Sequence, residues 1–269
     1  MAKQVSDCTM DSRISKRLFY RGLKMATVQK THNWNLSPAE ARQLQENLRG
    51  QISLHPMRKR AQFVGGLDCS LDKRKGRIFA AAVVFSMERG LPSPRCLATE
   101  TPQRRQDACV PLKLVETATA ELPLVFPYVP GLLSFREIPV CLEAVQKIKR
   151  TPDVWLVDGQ GIAHPRRIGL ASHLGLFLDM PTIGCAKSRL VGTYTEPEAE
   201  KGSFSWLYDR DERIGAVLRT RTGIKPLFIS PGHLCSFEDA IYYTLACTTQ
   251  YRLPEPTRIA HQTVGNIKR

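Results

Sequence analysis

The chain has 269 residues, 42% of them apolar, enough to build one large domain around a real core. Lysine and arginine total 39 against 25 acidic residues, and the net charge of +14 favours a polyanionic partner such as nucleic acid over a small acidic metabolite. No apolar run approaches the ~20 residues of a membrane-spanning helix. The eight cysteines show neither C-x-x-C metal spacing nor a disulfide framework, so reduced thiols in a cytoplasmic setting are expected.

Residues 1–31 hold seven basic and two acidic residues and no apolar signal core. They read as a mobile basic arm. Residues 32–269 read as a single domain, since no linker, repeat or low-complexity tract interrupts them. In "WNLSPAEARQLQENLRGQI", Ser37 suits a helix cap, Pro38 the first turn, and Ala41, Leu44 and Leu48 recur at helical spacing. Three β-rich runs follow, "QFVGGLDCSL", "RIFAAAVVFSM" and "PRCLATETP", as expected of a meander. The stretch "VFPYVPGLLSFREIP" sets Tyr128 between Pro127 and Pro130. A helix is expected over "PVCLEAVQKIKR", with Glu137 at its start, and a buried strand over "VWLV", ending at Asp158 in a glycine turn. Further on, "RRIGLASHLGLFLDM" has a helical period and "PTIGCAKSRL" reads as a strand. "IGAVLRTR" and "PLFISPGH" suit a strand pair, and two helices close the chain at "SFEDAIYYTLACTT" and "PEPTRIAHQTVGNIKR". This order predicts an α/β fold, a mixed central sheet covered by helices, with ligands at the carboxyl ends of its strands.

Asp68 and Asp158 are then expected to close two strands, with Glu137 between them. Taken singly, such residues are turn or cap groups. A charge emerging from the apolar "VWLV" run, beside Gly159 and Gly161, instead suggests a site. Clustered carboxylates repel unless a cation joins them, and Mg²⁺ takes oxygen ligands of this type. A basic protein with such a cluster reads as a metal-dependent nuclease. Lys187 in "CAKSRL" could approach a scissile phosphate or be merely solvated; His164 in "GIAHPRR" could reach the site or cap the next helix; His261 has no feature separating it from an ordinary helical histidine. The prolines hold the Tyr128 ring out at low entropic cost, which suits a wedge entering a base stack but also a tyrosine packed on the surface.

"GGLDCS", "PYVPGLLSFREIP", "DVWLVDGQGIAHPRRIGLASHLGLFLDMPTIGCAKSRL", "AVLRTRTGIKPLFISPGHL" and "PEPTRIAHQ" together resemble the endonuclease V family of bacterial type, in order from Trp34 to the C-terminus. The resemblance implies a ribonuclease-H-like fold, use of Mg²⁺ with Mn²⁺ as substitute, and recognition of deoxyinosine in DNA. It also implies hydrolysis of the second phosphodiester bond 3′ to the lesion. The family's catalytic acids fall on Asp68, Glu137 and Asp158, its histidine on His261 and its lysine on Lys187. Asp68 and Asp158 would hold metal, with Glu137 and His261 acting directly or through water. The wedge falls on Tyr128, and substrate-binding positions on Pro130, Gly131, Leu133, Gly159, His164 and Gly169. Inosine-containing RNA, another ribonuclease-H-like substrate, or a catalytically silent nucleic-acid-binding protein are the alternatives. No protein partner can be inferred.

Overall fold

The computed structural model describes residues 32–87 and 111–268. The basic arm expected over 1–31 and the strand expected at "PRCLATETP" lie outside these residues. Helix α1, Pro38–Arg49, starts as its sequence predicts: Ser37 and Glu40 form a reciprocal capping box and Pro38 occupies the first turn. Strands β1 (Phe63–Asp72) and β2 (Arg77–Met87) pair antiparallel, and β2 pairs antiparallel with β3, Leu112–Pro123. Strand β4 (Val154–Val157) lies parallel to β1, and β5 (Thr182–Ala186) parallel to β4. Beyond them β8 (Leu227–His233), β7 (Glu212–Leu218) and β6 (Phe204–Asp209) continue antiparallel. Among the described residues the sheet has eight strands in the order β3-β2-β1-β4-β5-β8-β7-β6.

Strict alternation divides the core into two faces. Ile78, Ala80, Ala82 and Val84 of β2 and Trp155 and Val157 of β4 meet helices α2 (Leu133–Gln146) and α3 (Leu170–Leu178). On the other face Val154 and Leu156 pack with helix α4, Phe237–Ala246, while Phe79, Ala81, Val83 and Phe85 receive Ala260 and Val264 of helix α5, Glu255–Lys268.

Three expectations need correction. Asp68 is not at the end of its strand: β1 runs on to Asp72 because β2 pairs with it throughout. Helix α2 begins at Leu133 and passes through Pro139. A proline inside a helix costs ~3 kcal/mol, but Phe135, Ile138, Leu142 and Val145 are all buried along it, and that apolar face outweighs the lost bond. Strands β3 and β6 were not expected, and both lie at sheet edges, where half-exposed residues leave little apolar pattern to read.

Candidate active site

Two glycines decide how the first acid is presented. A Cβ at Gly65 would lie 2.2 Å from the Trp155 ring, and one at Gly66 2.2 Å from the Pro256 carbonyl oxygen. The bare backbone at Gly66 therefore lets the start of α5 rest directly on β1. Leu67 joins the core under α2 and α3, so alternation turns Asp68 toward α5. There His261 Nδ1 lies 2.6 Å from Asp68 Oδ2, while the Cys69 amide donates to Asp68 Oδ1 at 2.7 Å.

Asp158 leaves the adjacent strand, its amide donating to the Leu67 carbonyl at 3.0 Å and so extending the parallel ladder by one residue. One ligand atom each from Asp68, Asp158 and His261 falls within 4.8 Å of the others. Lys187, just beyond β5, pairs its ammonium with Asp158 Oδ2. Arg252 braces that lysine, donating to the carbonyls of Lys187 and Pro226 at 2.8 and 2.7 Å.

Glu137 is not in this trio. It comes from α2, on the opposite face of the sheet, and its carboxyl is buried. It shares the field nevertheless: burial, then Asp68 and Asp158, push it up to about 8. Burial, then Asp158, raise Asp68 to about 6 against the pull of His261, the Cys69 amide and Lys187. Carboxyls raised by burial and by each other form a site short of positive charge. Two carboxylate oxygens with an imidazole nitrogen could hold a divalent cation, and the Glu137 carboxyl feels the charge of both aspartates.

The loop before α2 presents Tyr128 to solvent, 72% exposed, with the Arg136 guanidinium 5.9 Å from the ring centroid. Pro130 and Leu133 are exposed on the same segment. Gly131 turns the chain at φ +76°, a conformation that favours glycine. Buried His164 lies 3.0 Å from the Gly131 carbonyl through Nε2, and its Nδ1 accepts from the Arg166 amide at 3.2 Å. Burial and the Arg166 charge lower His164 to about 4, so the neutral ring carries its proton on Nε2 and donates it to Gly131. His164 thus clamps the loop. Gly159 and Gly169 let two neighbouring segments pack on each other: a Cβ on Gly169 would meet the Gln160 carbonyl oxygen at 2.4 Å, and one on Gly159 would meet Leu170 at 3.1 Å. The sequence carries no mark of Arg252 or Arg136, because arginines in a basic chain show no local signal.

A mixed sheet of ribonuclease-H-like architecture, with one acid on β1 and another at the end of the adjacent β4, defines the class: an α/β nuclease fold. The sequence profile of the family described as Endonuclease V matches residues 108–262. Endonuclease V of Alkalilimnicola ehrlichii is 47% identical over 235 residues, covering 87% of this chain and 94% of that relative. The crystal structure of endonuclease V from Streptomyces avermitilis superposes with TM-score 0.75 at 37% identity, covering 91% of this chain and 98% of that one. A Ciona intestinalis endonuclease V, crystallised with a 23mer DNA containing an inosine followed by a ribo-adenosine, gives TM-score 0.69 at 27% identity, covering 86% and 98%. This chain belongs to the endonuclease V family.

Proposed function

We propose that the protein is a divalent-metal-dependent DNA-repair endonuclease. It recognises deoxyinosine in DNA and hydrolyses the second phosphodiester bond to its 3′ side, leaving 3′-hydroxyl and 5′-phosphate ends. The observation that carries this reading is the convergence of Asp68, Asp158 and His261, from β1, the end of β4 and α5, within 4.8 Å. Family membership and the inosine-containing DNA bound by the Ciona relative support the substrate.

Asp68, Asp158 and His261 would hold Mg²⁺ or Mn²⁺, with Glu137 in support. When bound, such an ion polarises a phosphoryl oxygen and lowers the pKa of a water. Lys187, set against Asp158, offers its ammonium to a phosphate oxygen. In the reaction the water oxygen bonds to phosphorus, the P–O3′ bond breaks, and the released O3′ ends as a hydroxyl. Tyr128 would enter the stack as a wedge. Pro130, Gly131, Leu133, Gly159, His164 and Gly169 would surround the everted base, where glycine backbone can approach a purine edge closely. A cytoplasmic setting belongs to the same proposal.

The test is a gel assay on a duplex with one deoxyinosine. Nicking immediately 3′ of the lesion's 3′ neighbour is expected with Mg²⁺ or Mn²⁺ and none with chelator; equal cutting of the undamaged duplex would refute the reading. An inosine-containing RNA strand serves as the competing arm, and a higher kcat/KM on it would reassign the substrate.

A further inference from the structure

Helix α1 lies outside the acid cluster, yet one of its residues breaks the rule of its own face. Gln45 follows Ala41 by four residues and precedes Leu48 by three, so it occupies an inward position where an apolar side chain would serve packing. It is 1% exposed. Burying a carboxamide is unfavourable unless its groups are bonded, and here each is. Gln45 Nε2 donates to the Gly131 carbonyl at 3.1 Å and to the Ile168 carbonyl at 3.3 Å. Its Oε1 accepts from Arg166 Nε at 2.6 Å, and Arg166 Nη2 donates in turn to the Gly131 carbonyl at 2.8 Å. With His164, three side chains converge on one carbonyl oxygen. The apolar side of the same helix supports the same loop: Ala41 packs in one cluster with Phe126, Leu132 and Phe135, with Leu44 and Val129 against it.

We propose that Gln45 is a positioning residue for lesion recognition. Its carboxamide, together with Arg166, ties the Gly131 loop that carries Tyr128 to the Ile168–Gly169 segment, and so sets both walls between which a displaced base would sit. This rests on the deoxyinosine reading above. Gln45 touches neither the acids nor His261 in the bonds described, so its loss should act on discrimination and substrate affinity before chemistry.

The experiment compares wild type, Gln45→Leu and Gln45→Glu on deoxyinosine and undamaged duplexes with Mg²⁺. The glutamate keeps an acceptor for Arg166 but cannot donate to Gly131. Both variants should raise KM for the lesion duplex and reduce the lesion-to-undamaged kcat/KM ratio by about tenfold, the worth of one buried hydrogen bond, with kcat within about twofold. In a Tyr128→Ala background the same changes should alter that ratio by less than about twofold, because Gln45 acts through the loop that carries the ring. Hydrogen exchange at residues 129–133 should quicken in both variants. A parallel fall of kcat on both substrates with the ratio unchanged, or unaltered exchange at 129–133, would overturn the proposal. Should Gln45→Leu not fold, Gln45→Met carries the same comparison. Absence of any inosine preference in wild type would remove the deoxyinosine reading and the specificity role together, while the exchange measurement would still decide whether Gln45 clamps the loop.

Discussion

Asp158 stands where the parallel ladder runs out, paired with Lys187 and within ligand distance of Asp68 and His261. Asp158→Ala should lower nicking by more than ~100-fold, beyond the loss typical of an outer partner of a metal ligand. Lesion binding in Ca²⁺, followed by gel shift, should stay within a few-fold of wild type. Tyr128→Ala should behave differently, lowering the preference for the lesion duplex while cleavage persists, as read from kcat/KM on both duplexes. These side chains were not equally legible. Asp158 announces itself as a charge ending an apolar run, whereas His261 meets an aspartate 193 residues away and is marked in the sequence only by family resemblance. Gln45 was illegible because its partners are two backbone carbonyls, which have no letter in the sequence, and an arginine 121 residues away.

At the level of elements, the contact between α5 and β1 decides whether a site exists. Gly66→Ala would drive a Cβ to 2.2 Å from the Pro256 carbonyl oxygen, backbone that cannot rotate away. We expect a loss of 1–3 kcal/mol or more in denaturant titration, as for overpacking, together with loss of nicking as His261 leaves Asp68. Ser37→Ala, which removes only the capping box of α1, should cost about 1 kcal/mol. Central elements were readable because burial forces a period of two or of 3.6 on their sequences. The edge strands β3 and β6 bury less and so carry little apolar pattern, and the sequence places the start of α2 at Pro139, six residues late, because proline favours the first turn of a helix.

For the whole molecule, opposing titrations set the pH dependence. His173 is wholly buried, 3.0 Å from Ser134 Oγ and 2.8 Å from the His32 ring, and burial lowers it to about 3. The unfolded chain takes up that proton near pH 6.5, so this contribution to stability is complete above 6.5 and is lost as pH falls toward 3. Asp68 and Glu137, both raised, act in the opposite sense, so the informative quantity is a difference. The stability gap between wild type and His173→Gln should close by about 1.4 kcal/mol per pH unit between 6.5 and 4, measured by denaturant titration in buffers of equal ionic strength. Affinity for DNA should fall linearly on a log–log plot as salt rises, in keeping with a net charge of +14. By itself the sequence determined the charge, the central strands and helices and the identity of the acids, because periodicity, capping and composition act between near neighbours. Only the tertiary structure decided that Asp68 and Asp158 share a site with His261 while Glu137 approaches from the other face, and that α1 reaches the tyrosine loop. Those outcomes depend on strand order and on backbone contacts at glycines, which bring together residues that no local pattern connects.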